Sequence, residues 1–351
     1  MAQVLIVGAG PTGLTAALEL SRLGQSVDII EKRSGPSHLS RAVGIQARSM
    51  DILAASGAAD GIAAEAVQFK GVMFHHHARR LNKLPLNFSE GSKLWGLAQD
   101  RTEFHLSEAL AQYGVKVRYG VTFEGLTQDD TGVIATTNGS SNCYANVIGA
   151  DGSHSAVRNA LGLSFDGFDL PNEWSIADVD SPNWPDRGWF KGYLLDKGNV
   201  CIVAPLEDTR YRVISSTPDA LKALPAEMDA ANLRRADSFT ISIRQVPKCN
   251  VGHVFLAGDA AHSHSPVGGR GMNLGIADAA DLAARLATGD TAGYHKARHA
   301  AGAHVLAFSE RGRRIMQSQN PLTRLAVLAA MRTFGKVPSL GKMALNQLVN
   351  G

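Results

Sequence analysis

The hydrophobic pattern of the first thirty residues changes its period twice. Residues 3–7 are largely apolar and rich in β-branched side chains, which is typical of a strand buried on both faces of a parallel sheet. From Leu14 to Leu23, Leu and Ala recur at helical spacing, and Gly24 marks the end of that helix. Ser26 to Ile30 then predicts a second strand. These segments predict one strand–helix–strand unit within about 30 residues.

The rest of the chain divides into helical and strand-like stretches. Helical spacing recurs over Arg48–Leu53 (with Gly57 as its stop), Thr102–Tyr113, 274–287 and 292–350. Strand signals occur over 68–97, Val115–Arg118, a hairpin of 121–127 with 132–137, Asn146–Gly149 and Val254–Ala257. Residues 166–249 are also strand-like, apart from a helix predicted over roughly 218–235. A β-rich segment therefore interrupts the alternation of strands and helices.

Composition narrows the class of protein without defining a function. The chain has 351 residues, of which 44% are apolar and 19% charged, so we expect a large core and two domains. A formal net charge of +3 is too small to indicate nucleic acid as a partner. Three well-separated cysteines, Cys143, Cys201 and Cys249, predict neither a disulfide framework nor a metal site. Without a basic leader or a membrane-length apolar run, we expect a cytoplasmic protein with no integral membrane contact.

A glycine motif lies between the first strand and its helix, where Gly8 to Gly13 reads GxGxxG. The first glycine would make the tight turn, Gly10 would let a pyrophosphate approach the backbone, and Gly13 would allow close helix–strand packing. The helix N-terminus offers N–H groups to phosphates, and Glu31 ends the second strand, where a carboxylate accepts from a ribose. We therefore expect a dinucleotide, FAD or NAD, to contact Gly8, Gly10, Pro11, Thr12, Gly13, Glu31, Lys32 and Arg33.

A second motif, far along the chain, separates FAD from NAD. A predicted strand ends at Gly258-Asp259, and a glycine-rich loop from Pro266 to Asn273 opens the helix that follows. FAD is long and needs a second contact site, whereas NAD bound by one such unit does not. Asp259 can hold a ribityl hydroxyl, and the helix start presents N–H donors where reduced flavin carries negative charge. The FAD contacts expected here are Gly258, Asp259, Pro266, Gly269, Gly271, Met272 and Asn273.

Both motifs together predict an α/β fold. We expect a discontinuous Rossmann-like FAD-binding domain, an inserted β-sheet domain that holds substrate, and C-terminal helices. The predicted boundaries are 1–68, 95–165 and 250–310 for the FAD-binding domain, 69–94 and 166–249 for the β-rich domain, and 311–351 for the helical segment.

With these motifs, most of the chain resembles the class A FAD-dependent aromatic hydroxylases, the p-hydroxybenzoate hydroxylase-like flavoprotein monooxygenases. The segment from Arg41 to Arg48 is similar to the family segment whose arginine meets the pyrophosphate, so the resemblance implies that Arg41 contacts FAD. Gln99 stands where the family has a glutamine near the flavin, and Asp151 lies in a "DG" motif that touches FAD and is implicated in NAD(P)H use. The chain departs from the family at His154, where arginine is frequent, and at Ser265, where proline is frequent.

The resemblance implies a reaction. NAD(P)H would reduce FAD, O₂ would add at flavin C4a, and the hydroperoxide would hydroxylate a phenolic or polycyclic aromatic small molecule. Pro266 would wall the reactive side of the flavin. His264 is the catalytic candidate because its loop approaches the flavin, with His262, His105 and Tyr193 as less favoured bases.

Other interpretations stay open at this point. The same fold carries FAD-dependent reductases and dehydrogenases such as prenyl reductases, the same flavin chemistry supports Baeyer–Villiger oxidation or epoxidation, and a non-catalytic flavin module is a further alternative. His75-His76-His77 looks like a metal site, but no nearby acid or cysteine completes a coordination sphere, so we expect none. The apolar residues of Leu322–Leu348 would cap the domain, join a homodimer or touch a membrane surface.

Overall fold

The computed structural model describes residues 3–37, 42–86, 93–266 and 268–350. For residues 348–350 it describes the backbone only. A six-stranded sheet, here called the parallel sheet, forms its first layer. In spatial order its strands are Asn250–Val251, Val254–Leu256, Asn146–Gly149, Val4–Val7, Val27–Glu31 and Arg118–Tyr119. All neighbours run parallel except the first pair. The central strands are buried on both faces, as their continuous apolar sequences predict.

Helices pack against this sheet and continue to the end of the described chain. In chain order they are α1 (Pro11–Arg22), α2 (Ala47–Ala54), α3 (Ala58–Glu65), α4 (Gln99–Gln112), α5 (Ala156–Ala160), α6 (Ala220–Ala223), α7 (Gly271–Thr288), α8 (Tyr294–Met316), α9 (Pro321–Lys336) and α10 (Pro338–Asn350). The crossover helix α1 is buried on all sides from Gly13 to Leu20, because it packs on the parallel sheet and between α4 and α7. The predicted strand–helix–strand unit is thus confirmed, with α1 between two adjacent parallel strands.

A second, seven-stranded sheet, here called the large sheet, forms the β-rich part. Its strands in spatial order are Asn232–Phe239, Trp174–Asp180, Arg210–Ser215, Val200–Pro205, Trp189–Leu194, Gly71–His76 and Arg79–Pro85. Only the pairing of Trp189–Leu194 with Gly71–His76 is parallel. Alternate residues of these strands enter two separate apolar clusters, one on each face.

Three smaller sheets complete the β-structure of the described residues. They are Ser140–Tyr144, Gly132–Thr137 and Phe123–Asp129; Gly44–Gln46, Leu94–Gly96 and Val67–Gln68; and Asp166–Asp169, Ser242–Gln245 and His262–Ser263. The last sheet joins strands from both predicted domains, and the domain boundaries stay a prediction. The C-terminal helices pack back on the layers, α8 on α7 and α9 on the Arg79–Pro85 strand. In the described part of the chain, no helix is both long and apolar enough to cross a membrane.

Two local predictions were wrong, and a third was confirmed. The helix predicted over 218–235 is only Ala220–Ala223, because residues from Asn232 onward pair with Trp174–Asp180 as an edge strand. The strand predicted at Val115–Arg118 lies at Arg118–Tyr119 instead. Gly57 lies in the turn after α2 with a φ of 81°, which confirms it as the stop of that helix, and a further helix, α3, begins directly after it.

Candidate active site

The GxGxxG turn is built on two glycines that admit no side chain. Gly8 has a φ of 104°, and a Cβ there would overlap the carbonyl oxygen of Ala150. A Cβ at Gly13 would overlap the carbonyl oxygen of Gly8, so helix α1 can start this close to the strand only with glycine. Around Gly10, by contrast, no atom of the described residues lies within 4 Å of where a Cβ would stand. The turn therefore leaves open space beside its backbone at the N-terminus of α1, where N–H groups have no partner within the helix.

Glu31 links this turn to the end of the second strand. Its carboxylate accepts hydrogen bonds from the backbone N–H groups of Ala9 and Arg33, each at 3.0 Å, and from the Arg33 guanidinium at 3.2 Å. Burial raises the pKa of Glu31, but the hydrogen bonds and positive charge of Arg33 outweigh burial and hold the pKa below its ordinary value. Glu31 therefore stays ionised, while Lys32 beside it is exposed to solvent.

A second carboxyl group, which the sequence did not predict, lies next to this pair. Glu103 of α4 is 5% exposed, accepts a hydrogen bond from Gln99 at 2.9 Å and stands 3.9 Å from the Arg33 guanidinium. Burial raises the pKa of Glu103 to about 7, although the Gln99 hydrogen bond and the Arg33 charge oppose burial. Gln99 also accepts from the backbone N–H of Ala42 at 3.4 Å. The predicted contact residues Glu31, Arg33 and Gln99 thus form one cluster, and Arg41 lies outside the described residues.

The second motif packs directly against the first. Gly258, with a φ of 61°, and Gly275 of α7 both lie against the Thr12 side chain, and a Cβ at either position would overlap the Thr12 hydroxyl. This contact brings the start of α1 and the start of α7 side by side. Asp259 follows at the C-terminal end of a parallel strand, the edge at which such sheets bind ligands. Its side chain is exposed and is hydrogen-bonded to no other described residue.

The glycine loop that opens α7 is a tight turn. The carbonyl of Pro266 accepts from Gly269 at 3.0 Å, and Gly268 and Gly269 have φ values of 90° and 60°, so the backbone needs glycine there. Gly271 begins the helix and Met272 is buried beside it. Residue 267 lies outside the described part of the chain.

Asn273 holds this loop to a neighbouring segment. Its amide donates to the carbonyls of Gly44 and Gly269 and accepts from the Gln46 N–H and the Ser49 hydroxyl, at 2.8 to 3.0 Å. Both ends of the side chain are used within the protein. A direct contact of Asn273 with FAD stays a prediction, and the observed role is to fix the loop against Gly44–Gln46.

The "DG" loop completes the edge of the parallel sheet. Asp151 caps α5 by accepting from the N–H groups of Ala156 and Val157, at 2.7 and 3.2 Å, through one oxygen. Its other oxygen is buried and has no hydrogen-bond partner among the described residues. Arg158, missed by sequence reasoning, donates to the carbonyls of Ser153 and Ala260 at 2.8 and 3.2 Å and so ties this loop to the Asp259 turn.

The candidate bases are not all brought together. His264 packs beside Gly271, and its Nδ1 bonds the Ser265 carbonyl at 3.0 Å, while burial lowers the pKa of the ring. His262 is buried behind the loop, hydrogen-bonded to Asp278 at 2.6 Å. His105 pairs with Glu65 at 2.8 Å. Tyr193 packs in one of the two apolar clusters of the large sheet, away from the glycine loop's histidines. Only His264 and His262 therefore lie at the glycine loop.

The histidines at 75–77 make separate contacts within the protein. His75 is buried and stacks on Tyr193 with ring centroids 4.7 Å apart, and His77 lies in the turn after the strand, 3.1 Å from Asp196. Across residues 3–37, 42–86, 93–266 and 268–347, no group of three or more His, Cys, Asp or Glu is arranged to hold a metal ion.

One face of the large sheet and the segments packed on it, α9 among them, form an apolar wall. We define this wall as the buried cluster of Leu170, Trp174, Ile176, Leu194, Val200, Ile214, Ile241, Ile243 and Met331. Val43 and Phe74 pack against it, and Val43 is followed by Gly44, which Asn273 binds. Arg212, fully buried and paired with Asp178 at 2.6 and 2.7 Å, donates to the carbonyl of Ala42. Segment 42–46 therefore joins the apolar wall to the glycine loop.

Residues 1–309 match the family model of the FAD binding domain. The chain belongs to this family. Its membership confirms the resemblance to class A FAD-dependent hydroxylases and identifies FAD as the cofactor.

Named relatives and a solved structure agree with this family. The chain is 34% identical to pentachlorophenol 4-monooxygenase of Sphingobium chlorophenolicum, over 82% of this chain and 58% of that protein. It is 30% identical to dialkyldecalin synthase of Streptomyces rugosporus, over 94% and 76%. The chain spans about three-fifths of the length of the first curated relatives it matches. The p-nitrophenol 4-monooxygenase of Pseudomonas putida DLL-E4 shares the fold, with a TM-score of 0.87 at 23% identity over 99% of this chain and 98% of that one.

Three features of this family member fit FAD. The open space at Gly10 lets a pyrophosphate reach the N-terminus of α1. The exposed carboxylate of Asp259 stands at the strand edge beside the glycine loop, where a ribityl chain would pass. The unpartnered buried oxygen of Asp151 needs a donor, which a hydroxyl of the cofactor or a water would supply.

Proposed function

We propose that the protein is an NAD(P)H-dependent monooxygenase that hydroxylates a phenolic or polycyclic aromatic small molecule with O₂. The observation that carries this proposal is the continuity of segment 42–46 with both the glycine loop and the apolar wall. The apolar surroundings that this cluster gives to segment 42–46, beside the glycine loop, suit an apolar substrate better than a charged one.

The chain's own residues would position the cofactor. Gly8, Gly10, Pro11, Thr12 and Gly13 would present the start of α1 to the pyrophosphate, while Glu31, Lys32 and Arg33 would meet the adenosine end, with Arg41 on the phosphates and Gln99 near the flavin. Asp151, Gly258 and Asp259 would hold the ribityl chain, and Gly269, Gly271, Met272 and Asn273 would shape the flavin's N1–C2=O edge. Bound FAD supplies the oxygen chemistry, since no side chain activates O₂.

In the reaction, the side chains of the protein would exclude water from the site and transfer the proton of a substrate hydroxyl. Pro266 begins the tight turn of the glycine loop and would form part of the dry wall beside the flavin. Burial lowers the pKa of His264, which favours the uncharged ring, and its Nε2 has no partner among the described residues. We assign His264 as the group that accepts or returns the proton of a substrate hydroxyl.

The first experiment is NAD(P)H oxidation by the FAD-loaded protein under ¹⁸O₂, with phenols, chlorophenols and polycyclic phenols as substrates. We expect substrate-stimulated oxidation and one ¹⁸O atom in a hydroxylated product. His264→Gln is the matched variant, because Gln keeps a side chain of similar size without a basic nitrogen. It should lower kcat while leaving FAD binding unchanged.

Each alternative predicts a different product. Label in a lactone or an epoxide would indicate a Baeyer–Villiger or epoxidising enzyme, and substrate reduction without label would indicate a reductase. The family also includes a protein named as a synthase, so a changed substrate with neither label nor NAD(P)H consumption would overturn the monooxygenase proposal. The cytoplasmic location, a homodimer and the lack of a nucleic-acid partner stay predictions.

A further inference from the structure

One carboxylate, outside every predicted site, gathers the elements around the glycine loop. Asp278 of α7 has no exposed surface. One of its oxygens accepts from the Gly258 N–H at 2.9 Å and from His262 Nε2 at 2.6 Å. The other accepts from the Arg298 guanidinium of α8 at 2.6 Å. Three segments of the chain thus meet on a single side chain.

The two donors on the first oxygen flank Asp259. Gly258 and His262 stand before and after the short turn that carries the Asp259 carboxylate, so Asp278 holds both ends of that turn. Asp278 also lies seven residues into α7, about 10 Å along the axis from the Gly271 start. The same side chain therefore sets the spacing between Asp259 and the N-terminus of α7.

The negative charge of Asp278 is matched to the groups that it binds, so a neutral side chain could not take its place. Burial opposes charge on His262, but the Asp278 carboxylate raises the pKa of the ring above its ordinary value. Burial likewise opposes charge on Asp278, yet His262 and Arg298 keep its pKa below the ordinary range. Loss of the carboxylate would leave a buried guanidinium, with a side chain 13% exposed, lacking its counter-ion.

We propose that Asp278 is a positioning residue for FAD, holding Asp259 and the start of α7 at the separation that the ribityl chain and the flavin ring require. Asp278 itself touches neither part of the cofactor. This inference rests on FAD as the cofactor and not on the reaction proposed above, so absence of hydroxylation would leave it standing.

The test compares Asp278→Asn with Asp281→Asn. In the first variant the introduced amide has one acceptor oxygen in place of two and carries no charge. It cannot hold the Gly258 N–H and neutralise Arg298 at the same time, so the turn should shift. Asp281 is the matched control because it lies on the same helix, is part-exposed and pairs only with Arg285 at 3.0 Å among the described residues. The readouts are the FAD dissociation constant of the apoprotein by flavin fluorescence, urea unfolding of the apoprotein, and the reduction potential of bound FAD.

For Asp278→Asn we expect FAD to bind at least tenfold more weakly and its reduction potential to fall, because the α7 N-terminus no longer stabilises reduced flavin as well. Asp281→Asn should match the wild type in both. If Asp278→Asn only lowers the unfolding free energy, with FAD affinity and potential unchanged, the network is structural and the proposal is wrong. Should that variant not fold, Arg298→Lys keeps the charge but loses the paired hydrogen bonds, and an unchanged FAD affinity there would equally overturn it.

Discussion

The parallel sheet and the large sheet build their parts of the candidate site by different means. Around the parallel sheet, the geometry rests on backbone contacts within short stretches, as in the contact of Gly13 with the carbonyl of Gly8. In the large sheet, the geometry rests on buried side chains from distant strands. Arg212 meets Asp178 across 34 residues of sequence and the carbonyl of Ala42 across 170. Backbone sites can be recognised from a contiguous motif, whereas side-chain pairs depend on strand register that no single segment reveals.

The two regions also differ in how they treat a buried titratable group. Beside the parallel sheet, burial raises the pKa of Glu103 to about 7. In the large sheet, burial and then the Lys191 charge lower the pKa of His75 to about 4. Both shifts favour the neutral form, but one group gains a proton on folding and the other loses one. Stability should therefore depend on pH with opposite slopes in the two regions.

The largest effect should come from Gly13→Ala. The new Cβ would overlap backbone, which cannot move aside, so we expect a loss of about 4 kcal/mol or more of unfolding free energy, or no folded protein. Gly10→Ala is the paired variant, because Gly10 has an ordinary φ of −78° and open space around it. It should unfold in urea like the wild type yet bind FAD at least tenfold more weakly. Wild-type FAD affinity in Gly10→Ala would contradict a pyrophosphate at this turn.

In the large sheet, the strongest test is Arg212→Met. Removal of the guanidinium leaves the Asp178 carboxylate buried, with only Arg210 at 3.2 Å as a cation partner among the described residues. We expect urea unfolding to show a loss of about 3–5 kcal/mol. Asp178→Leu combined with Arg212→Met should lose less, because neither charge remains. Arg187→Met, which removes an exposed pair with Asp208, should change stability by less than about 1 kcal/mol. Equal losses from Arg212→Met and Arg187→Met would show that burial of the pair does not matter.

This contrast explains what the sequence could and could not predict. The Gly8–Gly13 turn and the Pro266–Asn273 loop were recognisable because each needs glycine at fixed positions between a strand and a helix. The helix predicted over 218–235 failed because tertiary pairing with Trp174–Asp180 overrides the local preference. Asp278, Arg158 and Glu103 were missed, since their partners lie on other elements and no spacing links them. A carboxylate four residues after Gln99 on one helix face was the only available signal for Glu103.

The next prediction concerns Glu103, beside the parallel sheet. Its folded pKa of about 7 lies above the ordinary 4.5, so between these values the unfolded chain releases a proton that the folded chain keeps. The unfolding free energy of the apoprotein should therefore fall as pH rises from 4.5 to 7 and level off above, by on the order of 3 kcal/mol. Glu103→Gln should remove this slope, whereas Glu108→Gln, exposed on the same helix, should keep it. Persistence of the slope in Glu103→Gln would assign it to another group.

The smallest effect is expected at His75, where the sign reverses. The folded pKa of about 4 lies below the ordinary 6.5, so between these values the unfolded chain takes up a proton that the folded chain refuses. The unfolding free energy should therefore rise with pH over this window. At pH 5 it should lie about 2 kcal/mol below its value at neutral pH, where the effect of His75 almost vanishes. His75→Phe keeps a ring to stack on Tyr193 and should flatten the slope, while His77→Asn, at a φ of 49° that suits Asn, should not. If urea unfolding between pH 4 and 6.5 shows the same slope in both variants, burial of His75 is not its source. The opposite pH responses would then no longer distinguish the two sheets, because only the Glu103 slope would be tied to a residue.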